Sequence, residues 1–205
     1  MTSTNSRGCR CRRRAVLAAS VGAVGGLAVL VATPVAAQAR ADSLSPLTEL
    51  VDAAAQRLQL VEPVAAFKWS AHGAIEDPGR VQQELATLGA DATAKRIDPD
   101  YPAYIARIFG DQINATEAIE YSRFADWKLN PASAPSAAPD LSASRSTIDA
   151  LNQTMLTQIA LNWDLLHSPA CAVQLDATTG DVIRARQLDS LYQKAFSLAT
   201  HSYCP

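Results

Sequence analysis

The sequence predicts an all-α fold, a single bundle of long helices with extra C-terminal helices tied by one disulfide, and three observations predict it. From Ser45 onward apolar residues recur at three- and four-residue steps, the spacing that lines one face of a helix. Asp77-Pro78 and Asp98-Pro99 read as helix starts, an N-cap followed by the residue best tolerated in the first turn. No alternating β-rich run stands out, and no internal repeat is present.

The first forty-one residues are set apart from the fold. Arg7, Arg10, Arg12, Arg13 and Arg14 precede an apolar run over Ala15–Ala32, and Ala37-Gln38-Ala39 and Ala39-Arg40-Ala41 offer small-residue cleavage sites. These are the three parts of a secretory signal, with a mature domain over 42–205. The paired arginines permit a twin-arginine route. The rival reading is an uncleaved anchor, since eighteen apolar residues just span a bilayer, but the small residues and Pro34 favour cleavage, export to the cell envelope or beyond, and no stable membrane association afterwards.

Twelve of the 18 basic residues and all 20 acidic ones lie from Asp42 onward, a formal charge of −8. That excludes a basic surface for a nucleic-acid partner. Cys9 and Cys11 leave with the signal, so Cys171 and Cys204 are most simply a disulfide. The alternative is a metal site or reactive thiol, but His72, His167 and His201 show no ligand spacing with either cysteine.

A first long helix is expected from Ser45 to about Ser70 through Leu47, Leu50, Val51, Ala54, Leu58 and Val61, bent at Pro63 and broken at His72-Gly73. The second starts at Asp77-Pro78 and ends near Gly89 or a turn later. The third opens at Asp98-Pro99 and runs through Tyr104, Ile108, Ile113, Ile119 and Phe124, with a kink near Gly110. Asn130–Asp140, with three prolines and no bulky apolar residue, reads as an extended surface connection. A fourth helix, capped by Ser142 or Ser144, is expected to end at Ser168-Pro169. A short segment over Cys171–Leu175 then leads past Gly180 to a final helix.

A few polar residues do not fit a plain bundle. Arg57 and Lys68 lie eleven positions apart, close to three turns of one helix. Asp77, Arg80 and Glu84 share a face of the next, Thr116 and Glu120 share a face of the third, and Arg145 opens the fourth. If these faces converge they form a pocket with four cations, three carboxylates and a hydroxyl. Each residue also has a plain reading: Asp77 as a cap only, Arg80–Glu84 as a surface i, i+4 pair worth a few tenths of a kcal/mol, the others as solvated charge. Spacing alone does not decide between the two.

The segments RLQLVEPVAAFKW (57–69), IEDPGRV (75–81), DQINATEAIEYSRFADWKLNPASAP (111–135) and DLSASRS (140–146), with the terminal cysteine pair, resemble the secreted all-helical chorismate mutases over nearly the whole mature chain. The resemblance implies rearrangement of chorismate, a small dianion, to prephenate without cofactor or metal, in a homodimer whose chains each supply their own pocket. It implies carboxylate-binding roles for Arg57, Arg80 and Arg145, with Lys68 at the ether oxygen. It further implies a protonated Glu120 as second donor there, Asp77 at the ring hydroxyl and Thr116 at a carboxylate. Glu84 stands where an amide is expected, so it either orients Arg80 or weakens binding. It is also the one clue for an alternative, an exported helical protein that binds a small dianion without turnover.

Overall fold

Helix α1 (Thr48–Gln59) and α2 (Val61–Ser70) begin the fold, followed by α3 (Pro78–Lys95), α4 (Tyr101–Leu129), α5 (Ser142–Leu161), α6 (Trp163–Leu166), α7 (Cys171–Arg186) and α8 (Ser190–Ala199). Two short 3₁₀ turns, Pro131–Ser133 and His201–Tyr203, complete the described residues, which contain no strand. The structure is a computed structural model that describes residues 44–205. The segment over 1–41 that is expected to be a secretory signal, with Cys9 and Cys11, lies outside the described residues.

The single first helix of the sequence reading is two helices. The break falls at Leu60, one turn before Pro63. A proline has no N–H to give the carbonyl four residues back, here Gln59, and its ring crowds that oxygen. The chain therefore ends α1 at Gln59 and restarts, which places Pro63 in the first turn of α2, where its missing donor costs nothing.

Helix α2 does end just before His72-Gly73, at Ser70. His72 N–H donates to the Trp69 carbonyl at 3.2 Å and Gly73 N–H to that of Lys68 at 2.8 Å. This is a Schellman ending, and His72, not the glycine, takes the left-handed conformation at φ 52°.

Asp77 caps α3 as expected, accepting from Arg80 N–H at 3.1 Å. The helix continues to Lys95, past Gly89, because buried Leu88 and Ala92 keep its inner face packed. Asp98-Pro99 is not the cap of α4. It forms a turn in which Asp98 accepts from Asp100 N–H, and the helix starts at Tyr101 with Pro102 in its first turn. No break occurs at Gly110. One glycine costs a helix about 1 kcal/mol, and buried Ile105, Ile108, Phe109 and Ile113 hold the adjoining turns.

Neither Ser142 nor Ser144 caps α5. Asp140 accepts from both the backbone and the hydroxyl of Ser142, at 2.9 and 2.8 Å. The helix ends at Leu161, before Ser168-Pro169, where the Asn162 amide donates to the Gln158 carbonyl. Cys171–Leu175 belongs to α7, which runs through Gly180, and Leu188 lies in the break before α8.

The core joins Leu50, Val51 and Leu58 of α1 to Ile105, Ile108 and Phe109 of α4, Met155 and Ile159 of α5, and Phe196 of α8. Helix α4 is the central element, packing against α3, α2 and α8, while α1 packs against α5 and α7. Across this frame Glu62 of α2 accepts from Arg123 of α4 at 2.7 Å and from the Tyr192 hydroxyl of α8 at 2.8 Å. That clamp sets the height of α2 against α4. Among the described residues no helix is long and apolar enough to cross a membrane.

Cys171 and Cys204 are bonded, 33 residues apart. The bridge holds Tyr203, whose carbonyl accepts from the buried Tyr104 hydroxyl at 2.6 Å. Replacing both cysteines with serine is expected to cost about 3–4 kcal/mol in the chain-entropy account, lowering Tm by about 10 °C in a chain of this size. Calorimetry with and without reductant checks it; an unchanged Tm refutes it.

Candidate active site

A cavity of about 580 Å³ opens between α1, α2, α3, α4 and the start of α5. Arg57, Lys68, Asp77, Arg80, Glu84, Thr116, Glu120 and Arg145 all line it. The Leu60 break puts Arg57 and Lys68 on two helices, not one. Their convergence therefore depends on the angle between α1 and α2.

Lys68 stands at the floor. Its Nζ donates to Glu120 Oε2 at 2.7 Å and to the Ile75 carbonyl at 2.6 Å. The second bond is made possible by the α2–α3 loop, which is pinned by buried Ile75 and by the Tyr121 hydroxyl donating to Glu76 at 2.7 Å. Glu120 is 0 % exposed, and its Oε1 has no hydrogen-bond partner among the described residues. Burial pushes its carboxyl above the ordinary range and nearby Glu117 adds to that, while the Lys68 ammonium acts in the opposite direction. The direction that prevails is upward.

Arg57 is 6 % exposed and doubly held: Nε donates to Asn152 Oδ1 at 2.9 Å and Nη2 to Glu84 Oε1 at 2.8 Å. Glu84 thus pairs with Arg57 and not with Arg80, its neighbour one turn back; this replaces both the surface-pair reading and the idea that Glu84 orients Arg80. A glutamate reaches across the α1–α3 groove because the buried guanidinium needs a counter-charge, whereas an exposed Arg80 does not. Among the described residues, neither Arg80 nor Arg145 forms an ion pair. The Thr116 hydroxyl donates to the Gln112 carbonyl of its own helix at 2.8 Å, which leaves its lone pairs and its position facing the cavity.

Two carboxylates join the expected three, Glu76 and Glu117. Glu117 is also raised, by burial and by Glu76. Asn152 was missed as well. It lies seven residues after Arg145, two turns on along the same face of α5, and that spacing was the signal available in the sequence.

Chemically, the cavity presents two cations that form no ion pair among the described residues, a third held by its partners, and a Lys–carboxyl pair. Planar guanidinium forks grip carboxylates bidentately. A lysine beside a carboxyl held above its ordinary range supplies one donor, and a second when that carboxyl carries its proton, to an oxygen on which negative charge develops.

The description "Chorismate mutase type II" belongs to the family model that matches residues 48–121. The secreted chorismate mutase of Mycobacterium tuberculosis is 58 % identical over 193 residues, covering 94 % of this chain and 96 % of that one. The secreted chorismate mutase of Mycolicibacterium smegmatis is 54 % identical over 166 residues, 81 % of this chain and 90 % of its own. Among solved structures, the chorismate mutase from Burkholderia thailandensis superposes with a TM-score of 0.70 at 34 % identity, over 78 % of this chain and 99 % of that one.

Proposed function

This chain belongs to the chorismate mutase family, and from that premise we infer that its cavity holds chorismate and converts it to prephenate by conformational restraint and electrostatics alone. It is a secreted chorismate mutase, an isomerase, as its near relatives are named. The observation that carries the assignment of the site is the cavity itself, lined both by Arg80 and Arg145, which form no ion pair among the described residues, and by the Lys68–Glu120 pair.

The rearrangement breaks an ether C–O bond of the dianion while a C–C bond forms, with no proton transfer and no covalent intermediate. Two contributions matter: holding the compact conformer in which the reacting carbons meet, and stabilising charge on the ether oxygen. Arg57, Arg80 and Arg145 grip the two carboxylates, with Thr116 assisting. Asp77, anchored by its cap bond to Arg80 N–H, takes the ring hydroxyl. Lys68 and a protonated Glu120 converge on the ether oxygen, Lys68 keeping one N–H beyond the two already given to Glu120 and Ile75. Purified mature protein is expected to consume chorismate, read as loss of its diene absorbance. Saturable binding without turnover would overturn the catalytic reading in favour of a dianion-binding protein.

Glu84 draws on the charge of Arg57 without occupying it fully. Glu84→Gln retains an acceptor for Arg57 Nη2 and removes one negative charge from the wall, so KM is expected to fall a few-fold with kcat unchanged. Steady-state kinetics of the two proteins side by side check this, and a rise in KM refutes it.

The domain is proposed to begin near Asp42 after signal cleavage, checked by N-terminal sequencing of exported protein; a sequence starting at Met1 refutes it. A homodimer in which each chain carries a complete cavity is consistent with all eight residues coming from one chain. Sedimentation at the monomer mass would refute the dimer.

A further inference from the structure

We propose that Asn152 is a positioning residue of the mutase, setting the orientation in which Arg57 offers its guanidinium fork to a substrate carboxylate. The proposal rests on the reading of Arg57 as a carboxylate-binding residue.

Asn152 is buried in the middle of α5, 95 residues from Arg57, and an amide in such a place needs partners. It has two, and they are of opposite kind. Its Oδ1 accepts from Arg57 Nε at 2.9 Å and its Nδ2 donates to Glu84 Oε1 at 3.3 Å, the same oxygen that accepts from Arg57 Nη2 at 2.8 Å. Turning the amide over would set its NH₂ against the Arg57 N–H and its oxygen against a carboxylate, so only one orientation satisfies the site.

The three side chains form a closed ring of hydrogen bonds across three helices, α1, α3 and α5. The ring uses the Nε–Nη2 edge of the guanidinium. What remains is the end formed by Nη1 and the second N–H of Nη2, a two-pronged donor suited to one carboxylate. An arginine side chain has considerable rotamer freedom to lose on being fixed. Asn152 and Glu84 impose that loss on folding, before substrate arrives, and so lower the cost of binding. Neither valine nor leucine at 152 would do this, and an aspartate would place a second carboxylate against Glu84.

Since Arg57 grips a carboxylate present in both substrate and transition state, loss of its orientation raises KM more than it lowers kcat. Asn152→Leu is expected to raise KM about tenfold, the order for one hydrogen bond to a charged group, with kcat within threefold. In an Arg57→Ala background the same substitution is expected to change kcat/KM less than twofold, because the orientation it sets no longer matters. If Asn152→Leu fails to fold, Asn152→Asp serves: KM rises about tenfold from repulsion with Glu84, and adding Glu84→Gln, which exchanges amide and carboxylate across the ring, restores it to within threefold.

Wild-type KM in Asn152→Leu, an equal loss in the Arg57→Ala background, or no rescue by the exchange would each overturn the role of Asn152. If Arg57→Ala itself binds chorismate normally, the carboxylate-binding reading of Arg57 fails and the positioning role fails with it. A large effect of Arg57→Ala beside a silent Asn152 series separates the two failures.

Discussion

Lys68→Ala is expected to lower kcat/KM by about a thousandfold or more. Removing one preorganised donor from a developing oxyanion typically costs a hundred- to thousandfold, and Lys68 supplies a full charge as well as the donor. Its position is determined by neighbours on both sides, the Glu120 carboxyl at 2.7 Å and the Ile75 carbonyl at 2.6 Å. No other cation of the cavity is held at Glu120. The loss should fall mainly on kcat, because charge on the ether oxygen appears only as the bond breaks. Folding does not confound the test, because a buried Glu120 carboxyl that carries its proton leaves no unpaired charge when Lys68 is removed. Stopped-flow or steady-state assays beside a thermal melt test this, and turnover within tenfold of wild type would remove Lys68 from the mechanism.

The second large effect concerns pH. Burial of Glu120, then the Glu117 charge, raise its carboxyl, and Lys68 only partly offsets them. The active form in the proposed mechanism is the protonated one, because an ionised carboxylate would repel the oxygen it should assist. Activity is therefore full below the raised folded-state pKa and falls about tenfold per unit above it. Stability has the same sign: a carboxyl raised on folding contributes nothing unfavourable below the unfolded glutamate pKa, and the native state loses ground as pH rises through the folded value. Glu120→Gln keeps a donor that does not titrate. Two units above the wild-type inflection the variant should exceed wild type by up to about a hundredfold relative to their low-pH ratio. Bound dianion further disfavours ionisation of Glu120, so the inflection in kcat should lie at higher pH than that in kcat/KM. Parallel profiles for the two proteins would show that Glu120 is not the titrating group.

The helix pattern was legible where one face is apolar and long. Leu50, Val51 and Leu58 named α1, and Asp77-Pro78 named the start of α3. The errors cluster where local chemistry is ambiguous. Asp98-Pro99 has the same letters as Asp77-Pro78, yet its aspartate closes a turn instead of a helix. The expected kink at Gly110 and break at Gly180 do not interrupt their helices, because a glycine yields when the turns around it are packed.

What the sequence determined by itself was the all-α class and the cysteine pair, which follow from local periodicity and residue type. The eight polar residues were grouped as one set only through resemblance to a known family. Which group answers which was decided only by the tertiary structure. Glu84 lies one turn from Arg80 in sequence and pairs instead with Arg57; Asn152, 95 residues from Arg57, completes that pair; and Glu120 meets Lys68 across 52 residues. The physical reason is burial. An exposed charge is satisfied by water and obeys its neighbours in sequence, whereas a buried one must find its partner wherever the packing of helices places it.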